Sequence, residues 1–135
     1  ISKFNKEIGM SEVITTAEAP SAIGTYSQAV KAGNVVYVSG QVPLVPETMK
    51  VLQSDFKRQV RQVFDNLHAV IDAAGGSFPQ VVKLTIYLTD MDNFAQVNEV
   101  MSDVWSAPYP ARALIGVSQL PRDVAIEMDA IVVLE

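Results

Sequence analysis

Apolar and polar positions along the chain follow two rhythms. Phe56, Val60, Val63, Phe64, Leu67, Val70 and Ile71 recur at three- and four-residue steps, the signature of one buried helix face. Ser54 and Asp55 supply a start signal for that helix, and Gly75-Gly76 a stop. A second, shorter helix is predicted from about Asn93 to Trp105. Elsewhere the period is two. "VVKLTIYLTD" (81–90) reads as a strand with Val82, Leu84, Ile86 and Leu88 on one face. "SEVITT" (11–16), "TYSQAVKAG" (25–33) and "NVVYVSG" (34–40) read as strands, the last two joined in a hairpin near Gly33-Asn34. "PLVPETMK" (43–50), with two prolines, reads as a loop. "ARALIGV" (111–117) and "VAIEMDAIVVL" (124–134) complete the set, giving the order βββαβαββ.

Each predicted helix carries a single apolar stripe, so both are expected on one face of a single sheet. The other face then needs a cover. On the last strand Ile126, Met128, Ala130, Val132 and Leu134 form one row, and Ile131 and Val133 belong to the other. A strand apolar on both faces is buried on both. No third helix is predicted, so a second copy of the chain is the expected cover, in closed cyclic symmetry. There is no internal repeat, low-complexity tract or linker. Residues 10–135 are expected to form one domain, and residues 1–9, ahead of Met10, to be added or disordered sequence.

Composition narrows the function classes. The 135 residues are 49% hydrophobic and carry a net charge of −5. Mean hydropathy is +0.21 and the pI about 4.8. An acidic chain without basic runs is a poor match for a nucleic acid backbone. With no cysteine and one histidine, His68, the composition offers no thiolate nucleophile and no multi-histidine metal site. Apolar runs fall far short of a membrane span, and "ISKFNKEIGM" lacks a signal-peptide core. The expectations are a cytoplasmic protein, no metal or organic cofactor, and no nucleic acid or membrane partner.

Few residues suggest chemistry on their own. His68, at the edge of the helix stripe, reads as structural or solvated. Arg112 stands at the start of the strand-like "ARALIG" with no acid within six positions before it or ten after. It reads as a surface cation or as a fixed cation kept for an external anion. Glu127 shares a strand face with Ala125, Asp129, Ile131 and Val133, and by spacing alone reads first as a solvent-facing acid. Asn98 reads as a solvated helix residue, Ser39-Gly40 as a strand end, and Tyr26 as a half-buried strand aromatic.

Taken in order, "APSAIGTYSQAV" (19–30), "VYVSGQVP" (36–43), "NLHAVIDAAGGSFPQVVKLTIYLTDMDNFAQVNEV" (66–100) and "YPARALIGVSQLPRDVAIEMDAIVV" (109–133) resemble the Rid family of reactive intermediate deaminases, also called the YjgF family. The resemblance spans about residues 13–134. It implies an α+β, chorismate-mutase-like fold: two helices on one face of a six-stranded mixed sheet, with a trimeric, barrel-like core. It places the last strand between the third and fourth, against the simple hairpin that "SQLPRD" invites. It implies substrate sites in clefts between subunits of a homotrimer. By position, Arg112 would grip a carboxylate, Glu127 would order or activate water as the catalytic residue, and Tyr26, Ser39, Gly40, Asn98 and the backbone at Leu114 would line the pocket. The implied activity is hydrolysis of 2-imino and enamine acids, such as 2-aminoacrylate, 2-iminopropanoate and 2-iminobutanoate, to 2-oxo acids and ammonia. Two other readings stand beside it: a non-catalytic binder of small carboxylates, and an RNA-acting translation inhibitor or endoribonuclease. Three positions depart from the family pattern. Leu114 stands where many members have cysteine, Thr25 replaces a proline, and Met49 replaces a loop glycine. A left-handed backbone at Met49 would cost roughly 1–2 kcal/mol.

Overall fold

The computed structural model describes residues 11–135. The expectation for residues 1–9 lies outside them. Strands β1 (Ser11–Ile14), β2 (Ala29–Ala32), β3 (Val35–Gln41), β6 (Val81–Leu88), β7 (Ala111–Gly116) and β8 (Ile126–Val133) form a six-stranded sheet in the order β1-β2-β3-β8-β6-β7. All neighbours are antiparallel except β6 and β7, which run parallel. β8 enters between β3 and β6, the placement the family resemblance implies. Helices α1 (Phe56–Ala73) and α2 (Phe94–Val104) pack on one face. The fold is the chorismate-mutase-like arrangement of two helices on a mixed sheet. Among the described residues no helix is long and apolar enough to cross a membrane.

Helix α1 begins where Asp55 accepts a hydrogen bond from the Arg58 backbone N–H at 2.9 Å. It ends in a Schellman arrangement: the N–H of Gly75 bonds to Asp72 O and that of Gly76 to Ile71 O, both at 2.9 Å. Gly75 has φ 87°, a conformation that glycine adopts without a Cβ penalty. Val60, Val63, Phe64, Leu67, Val70 and Ile71 are buried as the periodicity predicts, against Leu84, Ile86, Ile126, Met128 and Val132 of the sheet.

Three local expectations are corrected. β2 starts only at Ala29, so Tyr26 lies in the preceding loop and is 52% exposed, not a half-buried strand residue. The cause is Gln28, whose buried amide turns inward: Nε2 donates to Pro20 O at 2.8 Å and Oε1 accepts from Thr16 N–H at 2.7 Å. In β6, Val82 is exposed and Val81 buried, because the register against β8 shifts between Val81 and Lys83 and turns Val82 outward. The 43–50 loop contains a miniature hairpin of β4 (Leu44–Val45) and β5 (Lys50–Val51). It is held by buried Asn66 of α1, which donates to Val42 O at 3.1 Å and Leu44 O at 3.0 Å. In its turn, just before β5, Met49 has φ 60°, the left-handed backbone considered above.

Candidate functional site

The residues singled out from the sequence fall into two groups, on opposite sides of the sheet. Arg112 pairs in register with Leu84, so it projects to the helix side at the outer strand. Its Nη1 donates to Asn98 Oδ1 of α2 at 2.8 Å and approaches the Met101 sulfur at 3.7 Å. The guanidinium carbon sits 5.8 Å from the centre of the Phe94 ring, within cation–π range. Arg112 and Asn98 line a cavity of about 340 Å³ with Met101, Ser102, Tyr109 and Pro110. Leu114, two residues along β7, turns its side chain to the core. Arg112 has no carboxylate partner among the described residues, whose ion pairs are Lys57–Glu99 and Arg61–Asp103.

Glu127 points the other way. It alternates with buried Ile126 and Met128 and stands opposite Tyr87 on the face that the helices leave open. With Tyr26, Ser39 and Gly40 it lines a second cavity, of about 510 Å³. The meeting of Glu127 with Gly40 is built by a bulge. Between Val38 and Gln41 β3 advances three residues while β8 advances two. Ser39 is fixed there through its N–H to Gln28 O at 2.9 Å and its hydroxyl to Ser27 O at 2.5 Å. A Cβ on Gly40 would sit 2.9 Å from the Glu127 carboxyl carbon and closer still to its oxygen, so a larger residue there would push the carboxyl out of this position.

Burial raises the Glu127 carboxyl above its ordinary range, and the nearby Asp129 charge raises it further. Asp129 is held by the Tyr87 hydroxyl, which donates to its Oδ2 at 2.9 Å. The Tyr87 phenol is itself raised, by desolvation first and then by Asp129 and Glu127. A carboxyl raised above its ordinary range beside a cavity is suited to exchanging protons.

A family model described as Endoribonuclease L-PSP matches residues 16–134. The chain belongs to the Rid/YjgF/RutC family. A RutC family protein of Pyrococcus horikoshii is 48% identical over 122 residues, 90% of this chain and 97% of its own. A protein of Dermatophagoides farinae named 2-iminobutanoate/2-iminopropanoate deaminase is 38% identical, over 91% of this chain and 96% of its own. The crystal structure of RidA from a Psychrobacter species superposes with a TM-score of 0.88 at 49% identity, covering 91% of this chain and 99% of that one.

Within this Rid family chain, sequence reasoning grouped seven residues in one pocket, and a single copy holds them as two separate sets. It also passed over residues that build the site. Gln28 and Asn66 anchor the loops of the larger cavity, and their sequence neighbours, Ser27 and Asp65 among them, give no signal of it. Asp129 was visible as the second acid on the Glu127 face. Arg122, in "LPRD", lines the larger cavity and carried no signal. His68 lies away from both groups, exposed on α1 and edge-on to Phe78 at 5.4 Å. Among the described residues no group of three or more His, Cys, Asp and Glu side chains is arranged to hold a metal ion.

Proposed function

We propose that this chain hydrolyses short 2-imino acids to 2-oxo acids and ammonia, at clefts formed between three copies of itself. The observation that carries the reading is Glu127: a half-buried carboxyl, raised by its surroundings, fitted against Gly40 at a cavity wall. The deaminase name of the Dermatophagoides relative supports the same chemistry. Water adds to the imine carbon, Glu127 relays protons between water and nitrogen, and the carbinolamine expels ammonia. An imine is already electrophilic, so orientation and proton transfer are sufficient help.

Arg112 holds the substrate carboxylate through a planar fork of two hydrogen bonds. Because it lies across the sheet from Glu127, the two meet only if Arg112 comes from a neighbouring copy. The open sheet face, with Tyr37 at 51% exposure and Val82 at 47%, offers that neighbour an apolar surface. Arg112 then lacks an internal acid because the substrate supplies one. RNA cleavage, named in the family description, gains no support from a chain of net charge −5 whose one histidine lies away from both cavities.

A coupled assay tests the reading: threonine dehydratase generates 2-iminobutanoate, and release of 2-oxobutanoate is followed with and without the protein. Acceleration is expected; its absence would sink the deaminase assignment. Light scattering should give a mass near three times 14.7 kDa, and a stable, fully active monomer would exclude the shared cleft.

A further inference from the structure

Arg122, like Arg112, is a cation at a cavity wall with no acid paired to it among the described residues. It lines the same cavity as Ser39, Gly40 and Glu127, and no ion pair among the described residues includes it. The adjacent Asp123 carboxylate is engaged elsewhere, accepting from Gln119 Nε2 at 2.7 Å. Burial and Asp129 set the Glu127 carboxyl, with no cation offsetting them. The Arg122 guanidinium reaches one acceptor: Nη1 and Nη2 both point to Met49 O, each at 3.5 Å, the outer limit of a hydrogen bond. A guanidinium has five N–H donors in a fixed fork, so most of this one's capacity is free.

The backbone around it is strained in a pattern. Among the described residues the non-glycine positions with positive φ are Met49 at 60°, Arg122 at 62° and Asp123 at 55°. Met49 and Arg122 line this cavity, and Asp123 is the next residue. At Met49 and Arg122 this costs roughly 1–2 kcal/mol each, less at Asp123 since aspartate tolerates the conformation, and such strain gathers where geometry serves a ligand. The remaining wall includes Ile23, Leu44 and Pro121, none of which answers a charge.

We infer that Arg122 forms a subsite for a second carboxylate, so that the preferred substrates are 2-imino dicarboxylates such as 2-iminobutanedioate. The inference rests on the deaminase reading above and names its substrate class. Water oxygen bonds to the imine carbon, the C=N pair moves to nitrogen with a proton, and the carbinolamine loses its O–H proton as the C–N bond breaks. Imine and water become 2-oxobutanedioate and ammonia. The distal carboxylate is unchanged throughout, so Arg122 acts on binding and its effect belongs in KM.

The test uses Arg122→Asn, because asparagine tolerates the left-handed backbone and the variant removes charge without adding strain. An aspartate oxidase supplies 2-iminobutanedioate, and threonine dehydratase supplies 2-iminobutanoate. The ratio of kcat/KM, diacid over monoacid, should fall at least about tenfold in the variant, through KM. An unchanged ratio, including an equal loss on both substrates, would overturn the subsite. Calorimetry with butanedioate and butanoate gives an arm independent of turnover. The wild type should bind the diacid about tenfold more tightly, and Arg122→Asn should lose that preference. Should neither imine be hydrolysed, this preference would still establish the subsite and only the deaminase reading would fail. Equal binding of both acids by the wild type would overturn it.

Discussion

Along β8 the helix-side row, Ile126, Met128, Ala130 and Val132, is at most 3% exposed, whereas Glu127, Asp129, Ile131 and Val133 on the same strand are only partly covered. One row holds the fold together, and its residues are interchangeable with other apolar groups of similar volume. The other row mixes two acids with two β-branched residues, a combination that solvent alone does not explain. The acids lie toward the Gly40 end and the apolar pair toward the end paired with Val35 and Tyr37. The difference teaches that a period-two pattern separates two tasks within eight residues. A substitution should therefore damage stability or chemistry according to parity.

The largest effect is expected on the open row. Glu127→Gln should lower imine turnover roughly 10²–10⁴-fold while binding of the 2-oxo acid product survives, which steady-state kinetics and calorimetry separate. Unchanged turnover alongside intact binding would make the protein a carboxylate sensor. The same variant should be the more stable protein at neutral pH. The folded carboxyl is raised, so its stabilising contribution is full below the unfolded value and lost as pH rises through the folded one. The gain in Tm should accordingly vanish in acid.

The matching break on the covered row is Met128→Ala. It should cost about 2–5 kcal/mol in denaturant unfolding, with kcat of the folded protein little changed. A large drop in kcat without loss of stability would show that parity does not divide the tasks.

Across the sheet, Arg112→Lys keeps the charge but loses the fork. We expect kcat/KM to fall at least about tenfold, equivalent to about 1.4 kcal/mol. Kinetics near wild type would remove the carboxylate clamp. The smallest effect is Met49→Gly, which relieves a left-handed backbone at φ 60°. Unfolding should show a gain of about 1 kcal/mol, after the entropy cost of glycine is subtracted. No gain would mean that Met49 packing offsets its strain.

The helices were legible because each repeats one signal several times over, and Asp55 and Gly75-Gly76 mark the ends of the longer. The strand order was not legible from periodicity, since β8 sits beside β3 and β6 through contacts far apart in sequence. The resemblance to a family supplied it. The Val81–Val82 and Ser39–Gly40 irregularities were hidden because a bulge breaks the alternation that strand reading depends on. Glu127 and Arg112 were legible as candidates, yet their residence on opposite sides of the sheet needed the register of β6 with each of its neighbours. Arg122 had no periodic context at all; its left-handed backbone is visible only in three dimensions.

The place of β8 also sets the timetable of folding. It is the last strand in sequence order and occupies the middle of the sheet, between β3 and β6. As the chain leaves the ribosome, β1, β2 and β3 can pair among themselves, and β6 with β7. The two half-sheets then present bare edges to each other and to every neighbouring nascent chain. Such edges are templates for aggregation, and the long sequence separation between β3 and β8 makes their closure slow. This sheet is sealed only after synthesis has passed Val133, which makes β8 the strand on which a chaperone's protection of the growing chain would have to wait.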